Sequence, residues 1–210
     1  MSVRIYVEGG GDTRAMQAPC RAAFGEIAKK IVGIGAMPRI IACGGRSETF
    51  DAYAKALRTH PGDFNMLLVD SEDPVALDPT SRTGATVTAW RHLETRDGWR
   101  KPRKALEDHA HLMVQCMEAW FLADREKLSA FYGDCFRARA LPAGRDVEQI
   151  LKKEIYDALA QATRTCKKGI YHKTAHAFEI LQQIDPEKVR AASAHADRFF
   201  VILLREARGA

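Results

Sequence analysis

Val3-Arg-Ile-Tyr-Val-Glu-Gly-Gly-Gly-Asp12 and Asn65-Met-Leu-Leu-Val-Asp-Ser-Glu-Asp73 decide how this chain reads. In the first stretch Val3, Ile5 and Val7 alternate with Arg4 and Tyr6, the period of a strand, and the glycines then turn the chain sharply. In the second, Met66 to Val69 is apolar throughout, as a parallel strand buried on both faces is. Each run ends in acids. If both strands lie in one parallel sheet, Glu8, Asp70 and Glu72 emerge at the same edge, where ligands of such sheets bind. Carboxylates crowded there repel one another unless a cation sits among them. Magnesium or manganese suits the place, because both take oxygen ligands and keep several waters. Asp73 and Glu118 extend the candidate metal set. The plainer alternative makes Asp70 a cap ahead of a solvated acidic loop, and makes Glu118 one half of a buried ion pair with an arginine.

Outward from these stretches the pattern alternates. Asp12 or Thr13 caps a helix whose stripe is Met16, Cys20, Phe24, Ile27 and Ile31, with Pro19 as its true start or a kink and Gly33 and Gly35 at its end. Residues 38–43 read as a strand. Phe50, Tyr53, Ala54 and Leu57 mark a helix stopped at His60-Pro-Gly-Asp63. Strand, helix, strand, helix, strand implies right-handed crossovers and a parallel sheet. Residues 74–104, rich in Pro, Thr, Arg and Asp, predict an irregular segment serving as a substrate-contacting loop or lid. Residues 111–116 predict a fourth strand and 117–124 a short helix. Beyond Gly133 the pattern is mainly helical, over 146–164, 173–184, 186–192 and 195–207. The expected fold is α/β: a central, mostly parallel sheet flanked by helices over residues 1–125, with a helical C-terminal extension over 126–210 packed on it.

Composition narrows the class. No apolar run approaches the ~20 residues of a membrane span, and the N-terminus enters a strand with no leader-like pattern, so a cytoplasmic location is expected. The five cysteines are scattered and form no Cys-x-x-Cys pair, which predicts reduced thiols and no zinc knuckle. A net charge of +5 permits a polyanionic partner. Candidate phosphate contacts are Arg46 and the cluster of Lys167, Lys168, His172 and Lys173; the cluster equally reads as a solvated helix entry. His109 and His111 share a spacing that suits one strand face, but nothing nearby completes a zinc site. The glycine run lacks the Gly-Lys-Ser/Thr ending of a phosphate loop, and Arg14 stands where a dinucleotide fingerprint has its third glycine. No nucleophile elbow is present.

Tyr6-Val-Glu-Gly-Gly-Gly-Asp12 and Leu68-Val-Asp-Ser-Glu72 resemble the Toprim fold, which is shared by topoisomerases, bacterial primases and nucleases of the overcoming-lysogenization-defect type. With His111-Leu-Met-Val-Gln-Cys-Met-Glu-Ala-Trp-Phe-Leu-Ala-Asp124 and Cys166-Lys-Lys-Gly-Ile-Tyr-His-Lys173, the whole chain is similar to a bacterial family of unknown function assigned to Toprim-like proteins. The resemblance implies metal-dependent phosphodiester chemistry on nucleic acid, with nuclease cleavage foremost and a role in phage defence beside an ATPase partner. It makes Glu8 the general acid/base and Asp70 and Glu72 the holders of Mg²⁺ or Mn²⁺. A lysine, Lys168 foremost, would offset charge on the scissile phosphate. Glu72 departs from the family's usual Asp, so a non-catalytic binding or regulatory module is the alternative. A phosphohydrolase with an aspartyl nucleophile would carry its Asp pair after the first strand, which here ends in Glu8.

Overall fold

The structure, a computed structural model, describes residues 2–78, 80 and 86–209. Four strands form one parallel sheet: β1 (Val3–Val7), β2 (Arg39–Ala42), β3 (Phe64–Asp70) and β4 (Ala110–Met113), in the order β2-β1-β3-β4. In register, Val7 pairs with both Ala42 and Leu68, and Asp70 pairs with Met113. β1 and β2 therefore end level, β3 and β4 run two residues further, and the residues that follow the strands share one edge.

The two-residue period of the strands divides the interior. Val3, Ile5, Val7, Met66 and Leu68 face one core, and Tyr6, Leu67, Val69, Ala110 and Leu112 face the other. The second core is closed by Tyr53 and Leu57 of α2 (Arg46–Thr59) and by Trp90 and Leu93 of α3 (Ala89–Asp97). The first is larger. It takes Phe24 and Ile27 of α1 (Arg14–Val32) together with apolar faces of α4 (Ala119–Ala123), α5 (Arg125–Tyr132), α6 (Lys152–Thr163), α7 (Lys173–Leu181), α8 (Pro186–Ala192) and α9 (Ala194–Arg208). Trp120 of α4 lies at its centre, fully buried, edge-on to Phe24 and Phe200. Truncating it to alanine would cost about 3–5 kcal/mol. The C-terminal helices thus share one continuous core with the sheet.

Several local expectations are corrected. α1 runs unbroken through Pro19 from Thr13, whose Oγ1 accepts the Met16 N–H at 3.3 Å, and ends at Gly33. Segment 74–104 is not irregular throughout: α3 is capped by Thr88 at one end and by left-handed Gly98 at the other. Residues 79 and 81–85 of that segment lie outside the described residues. Span 146–164 is two pieces, a 3₁₀ turn at Val147–Gln149 and then α6, whose first N–H, on Lys152, bonds Gln115 Oε1 at 2.9 Å. Cys135 and Cys166 are disulfide-bonded across 31 residues, against the expectation of reduced thiols throughout. The fold brings the two loops together with Cα atoms 5.1 Å apart, which sequence spacing does not reveal. Among the described helices, none is long and apolar enough to cross a membrane.

Candidate active site

The carboxyl edge of the sheet is built by its glycines. Gly9 and Gly44, following β1 and β2, exchange two backbone hydrogen bonds of 2.8 and 3.1 Å, which clamp the loops together. A Cβ on Gly10 (φ +88°) would lie 2.8 Å from Gln17 Cα, and one on Gly44 (φ +83°) 2.7 Å from Gly11 O. Both positions require glycine, on backbone and on space. The clamp holds Glu8, whose N–H bonds Leu68 O at 3.2 Å, beside the end of β3.

There Glu8, Asp70 and Glu72 each present a carboxylate oxygen within 4.8 Å of the others. Asp70 is buried, and its Oδ1 accepts the Met117 N–H at 2.8 Å. Glu72 takes a left-handed backbone (φ +66°), with its N–H on Gln115 O at 2.8 Å. That conformation costs a non-glycine residue about 1 kcal/mol or more, and it keeps the Glu72 carboxylate among the other two.

Three cations stand around the acids. Arg46 donates from Nη1 to Glu8 Oε2 at 3.2 Å and to Asp70 O at 2.5 Å. It is fixed by a two-pronged pair with Asp97, at 2.9 and 2.7 Å, and by the Trp99 ring 5.0 Å beneath its guanidinium. Lys152 pairs with Glu72 at 2.5 Å. Lys173, at the start of α7, lies 3.8 Å from Asp70 and 4.0 Å from Glu118. Glu118 is fully buried; Tyr171 donates to its Oε1 at 2.9 Å, and its Oε2 has no partner among the described residues. Five carboxylates (Glu8, Asp70, Glu72, Asp97, Glu118) therefore face three cations (Arg46, Lys152, Lys173). When all are ionised two negative charges stand uncompensated, which is the charge of one divalent ion. Counting outward to the Asp73–Arg96 pair adds one of each sign and leaves the balance unchanged.

Titration reflects this crowding. Burial, with Glu118 and Glu8 nearby, pushes the Asp70 carboxyl up to about 8 against the pull of Lys173. Burial also raises Glu8, opposed by Arg46 and assisted by Glu72. Burial alone would lower Lys173, but Glu118 and Asp70 outweigh it and hold the ammonium above its ordinary value.

The other residues singled out from the sequence fall into place around this centre. Asp73 turns out to Arg96 at 2.9 Å, and Glu118 lies behind Lys173. Arg46 is in the centre but bound on all sides. Lys167 and His172 are exposed; His172 Nδ1 bonds the Thr174 hydroxyl. Lys168 holds its Nζ 4.5 Å over the Phe131 ring, so the lysine that meets the acids is Lys173. His109 bonds Tyr53 and packs edge-on to Phe64, while His111 packs on Phe199 with its ring nitrogens on Asp108 O and Arg198, so both rings are engaged by the protein away from the acids. Lys152, Asp97 and Tyr171 carry contacts at the centre that the sequence reading did not assign. Only Asp97 had a local signal, as the acid closing a helix just before Gly98-Trp99.

A cavity of about 350 Å³ opens beside the acids, between the glycine loop and α7. A family model matches residues 7–204. The chain belongs to DUF4276, a domain of unknown function. The matched span takes in every residue of this centre, from Glu8 to Lys173. No curated protein and no solved structure matches the chain.

Proposed function

We propose that this chain is a metal-dependent phosphodiesterase that cleaves nucleic acid in the cytoplasm. The observation that carries the reading is the trio Glu8, Asp70 and Glu72 within 4.8 Å, in surroundings two positive charges short when every carboxylate is ionised. The donors are all carboxylate oxygens, which fits Mg²⁺ or Mn²⁺. Asp70 and Glu72 would hold the ion, with Glu8 beside it. Bound there, it would supply Lewis-acid polarisation of a phosphate and a lowered pKa for a coordinated water.

The chain's own groups account for the rest. Glu8, with its proton affinity raised by burial, takes or returns a proton. Arg46 fixes the Glu8 carboxylate, and Asp97 and Trp99 fix Arg46. Lys173 offsets negative charge that builds on the phosphate. Lys167, Lys168 and His172, exposed on the approach to α7, extend the basic surface toward a longer polyanion. The Toprim resemblance of the strand-end acids supports the same chemistry, and with it a place in phage defence beside an ATPase.

One observation favours a second reading, a non-catalytic binding module: Lys152 already occupies Glu72 at 2.5 Å. A cleavage assay on single- and double-stranded DNA and RNA with Mg²⁺ or Mn²⁺ separates the two. The nuclease reading expects turnover that excess chelator removes and that Glu8→Gln lowers at least a hundredfold with the fold intact. Turnover unaffected by chelator would overturn the metal mechanism; no turnover on any substrate, with Mn²⁺ bound, would favour the module.

A further inference from the structure

The cavity beside the acids is of mixed chemistry. Its lining combines the charged groups Glu8, Asp70 and Lys173 with the apolar side chains Met16, Met117 and Phe178. We propose that it takes a nucleoside monophosphate group, free or at the end of a strand, with the phosphate toward Lys173 and the base against Phe178. The proposal rests on the metal-dependent reading above and adds to it the kind of substrate the site admits.

Four observations carry it. The first is an unsatisfied acceptor: Asp70 is 3 % exposed and lines the cavity, and its Oδ2 has no hydrogen-bond donor among the described residues, Lys173 Nζ being 3.8 Å away. With the rest of the side chain buried, that oxygen is free to take a cation or a donor from a ligand in the cavity. The second is a free donor set. Lys173 is about half exposed (49 %) and touches Asp70 and Glu118 only at 3.8 and 4.0 Å, beyond hydrogen-bond length, so its N–H groups can turn to a phosphate. It also opens the nine-residue α7, an end that favours an anion.

The third is the aromatic wall. Phe178 lies one helical turn beyond Thr174 on the same side of α7, and both line the cavity. A Cβ on Gly9 would touch the edge of the Phe178 ring at 3.4 Å, so the glycine loop borders that wall. A flat base stacks on such a face whatever its sequence. The fourth is size: about 350 Å³ is at the lower end of ligand pockets and suits one nucleotide. A phosphate beside Glu8 and Asp70 would be repelled without a cation between them, so binding of the group should need the metal.

The test uses the full chain. Mn²⁺ is titrated first; dTMP, 2-deoxyribose 5-phosphate and inorganic phosphate are then titrated into the Mn²⁺-saturated protein. The expected result is dTMP binding at least tenfold tighter than the abasic sugar phosphate, with Phe178→Ala bringing the two together while Mn²⁺ affinity is retained. Phe178→Leu, which keeps an apolar wall without a ring, serves where the alanine variant does not fold. Equal affinity of dTMP and the sugar phosphate in wild type, or discrimination unchanged in either variant, would overturn the proposal. Failure of wild type to take Mn²⁺ would instead remove the metal reading and the proposal with it. Competition then separates the sources. Displacement of dTMP by a linear oligonucleotide but not by a closed circular strand assigns a strand end, and displacement by neither assigns a free nucleotide. Displacement by both, which shows internal nucleotides entering, would overturn the proposal.

Discussion

Lys173 Nζ stands 3.8 Å from Asp70 Oδ2, which joins the first turn of α7 to the last residue of β3 across about a hundred residues of chain. The pair links the C-terminal helices to the sheet edge electrostatically, and it places a half-exposed cation over a buried acid. Lys173→Gln should therefore leave the core intact and lower phosphate affinity. The expected outcome is a loss of cleavage of tenfold or more with Mn²⁺ affinity preserved or improved, because one competing cation is gone; steady-state kinetics and metal titration on the same variant check both halves.

Asp70 makes stability depend on pH. Its folded-state pKa of about 8 lies above the ordinary aspartate value of 3.8, so between those limits the folded chain binds more protons than the unfolded one. The associated stability is fully present below about pH 4 and is lost as pH rises through about 8, on the order of a few kcal/mol. In chelator, chemical denaturation should show wild type weakening across this window and Asp70→Asn lacking that slope. Saturating Mn²⁺ should restore wild type at high pH, by about 2.7 kcal/mol at a hundred times Kd.

Lys152 competes with any ion for Glu72. Lys152→Gln removes the 2.5 Å pair and should tighten Mn²⁺ binding several-fold, since the Glu72 carboxylate then depends on the metal for compensation. Weaker Mn²⁺ binding in Lys152→Gln would mean that Lys152 serves to hold Glu72 in place for the ion.

The Cys135–Cys166 bond leaves Cys20, Cys43 and Cys116 free, so denatured protein without reductant should titrate three thiols, and five after reduction. Closing a loop of 31 residues is worth about 2–4 kcal/mol. Cys135→Ser should lose stability on that scale relative to the oxidised wild type and match the reduced wild type. Because Cys166 opens the loop that brings Tyr171 to Glu118 and Lys173 to Asp70, cleavage should fall with it.

What was legible in the sequence follows from range. Alternation in β1 and the apolar run of β3 are local signals, and together with the parallel direction of the strands they suffice to bring Glu8, Asp70 and Glu72 to one edge. The run Gly9-Gly-Gly11 is legible as a turn from composition alone, and the structure shows that Gly10 admits no side chain. Lys152 on Glu72, Asp97 on Arg46 and Cys135 on Cys166 join residues 80, 51 and 31 positions apart, and no period in the chain relates them. α3 has a short apolar stripe, because of its three buried residues Trp90, His92 and Leu93 one is polar, and the stripe does not stand out among Arg91, Glu94, Arg96 and Asp97. Lys168 and Lys173 look alike as a basic run; only the turn of the chain into α7 sends Lys173 to the acids and Lys168 to Phe131.

The central claim is that the carboxylate cluster holds a divalent cation. Isothermal titration of Mn²⁺ and Mg²⁺ into wild type and Asp70→Asn tests it most directly. Millimolar or tighter binding of one ion per chain in wild type, lost in Asp70→Asn, is the expected result. No binding to wild type at pH 8, or equal binding to both proteins, would contradict it.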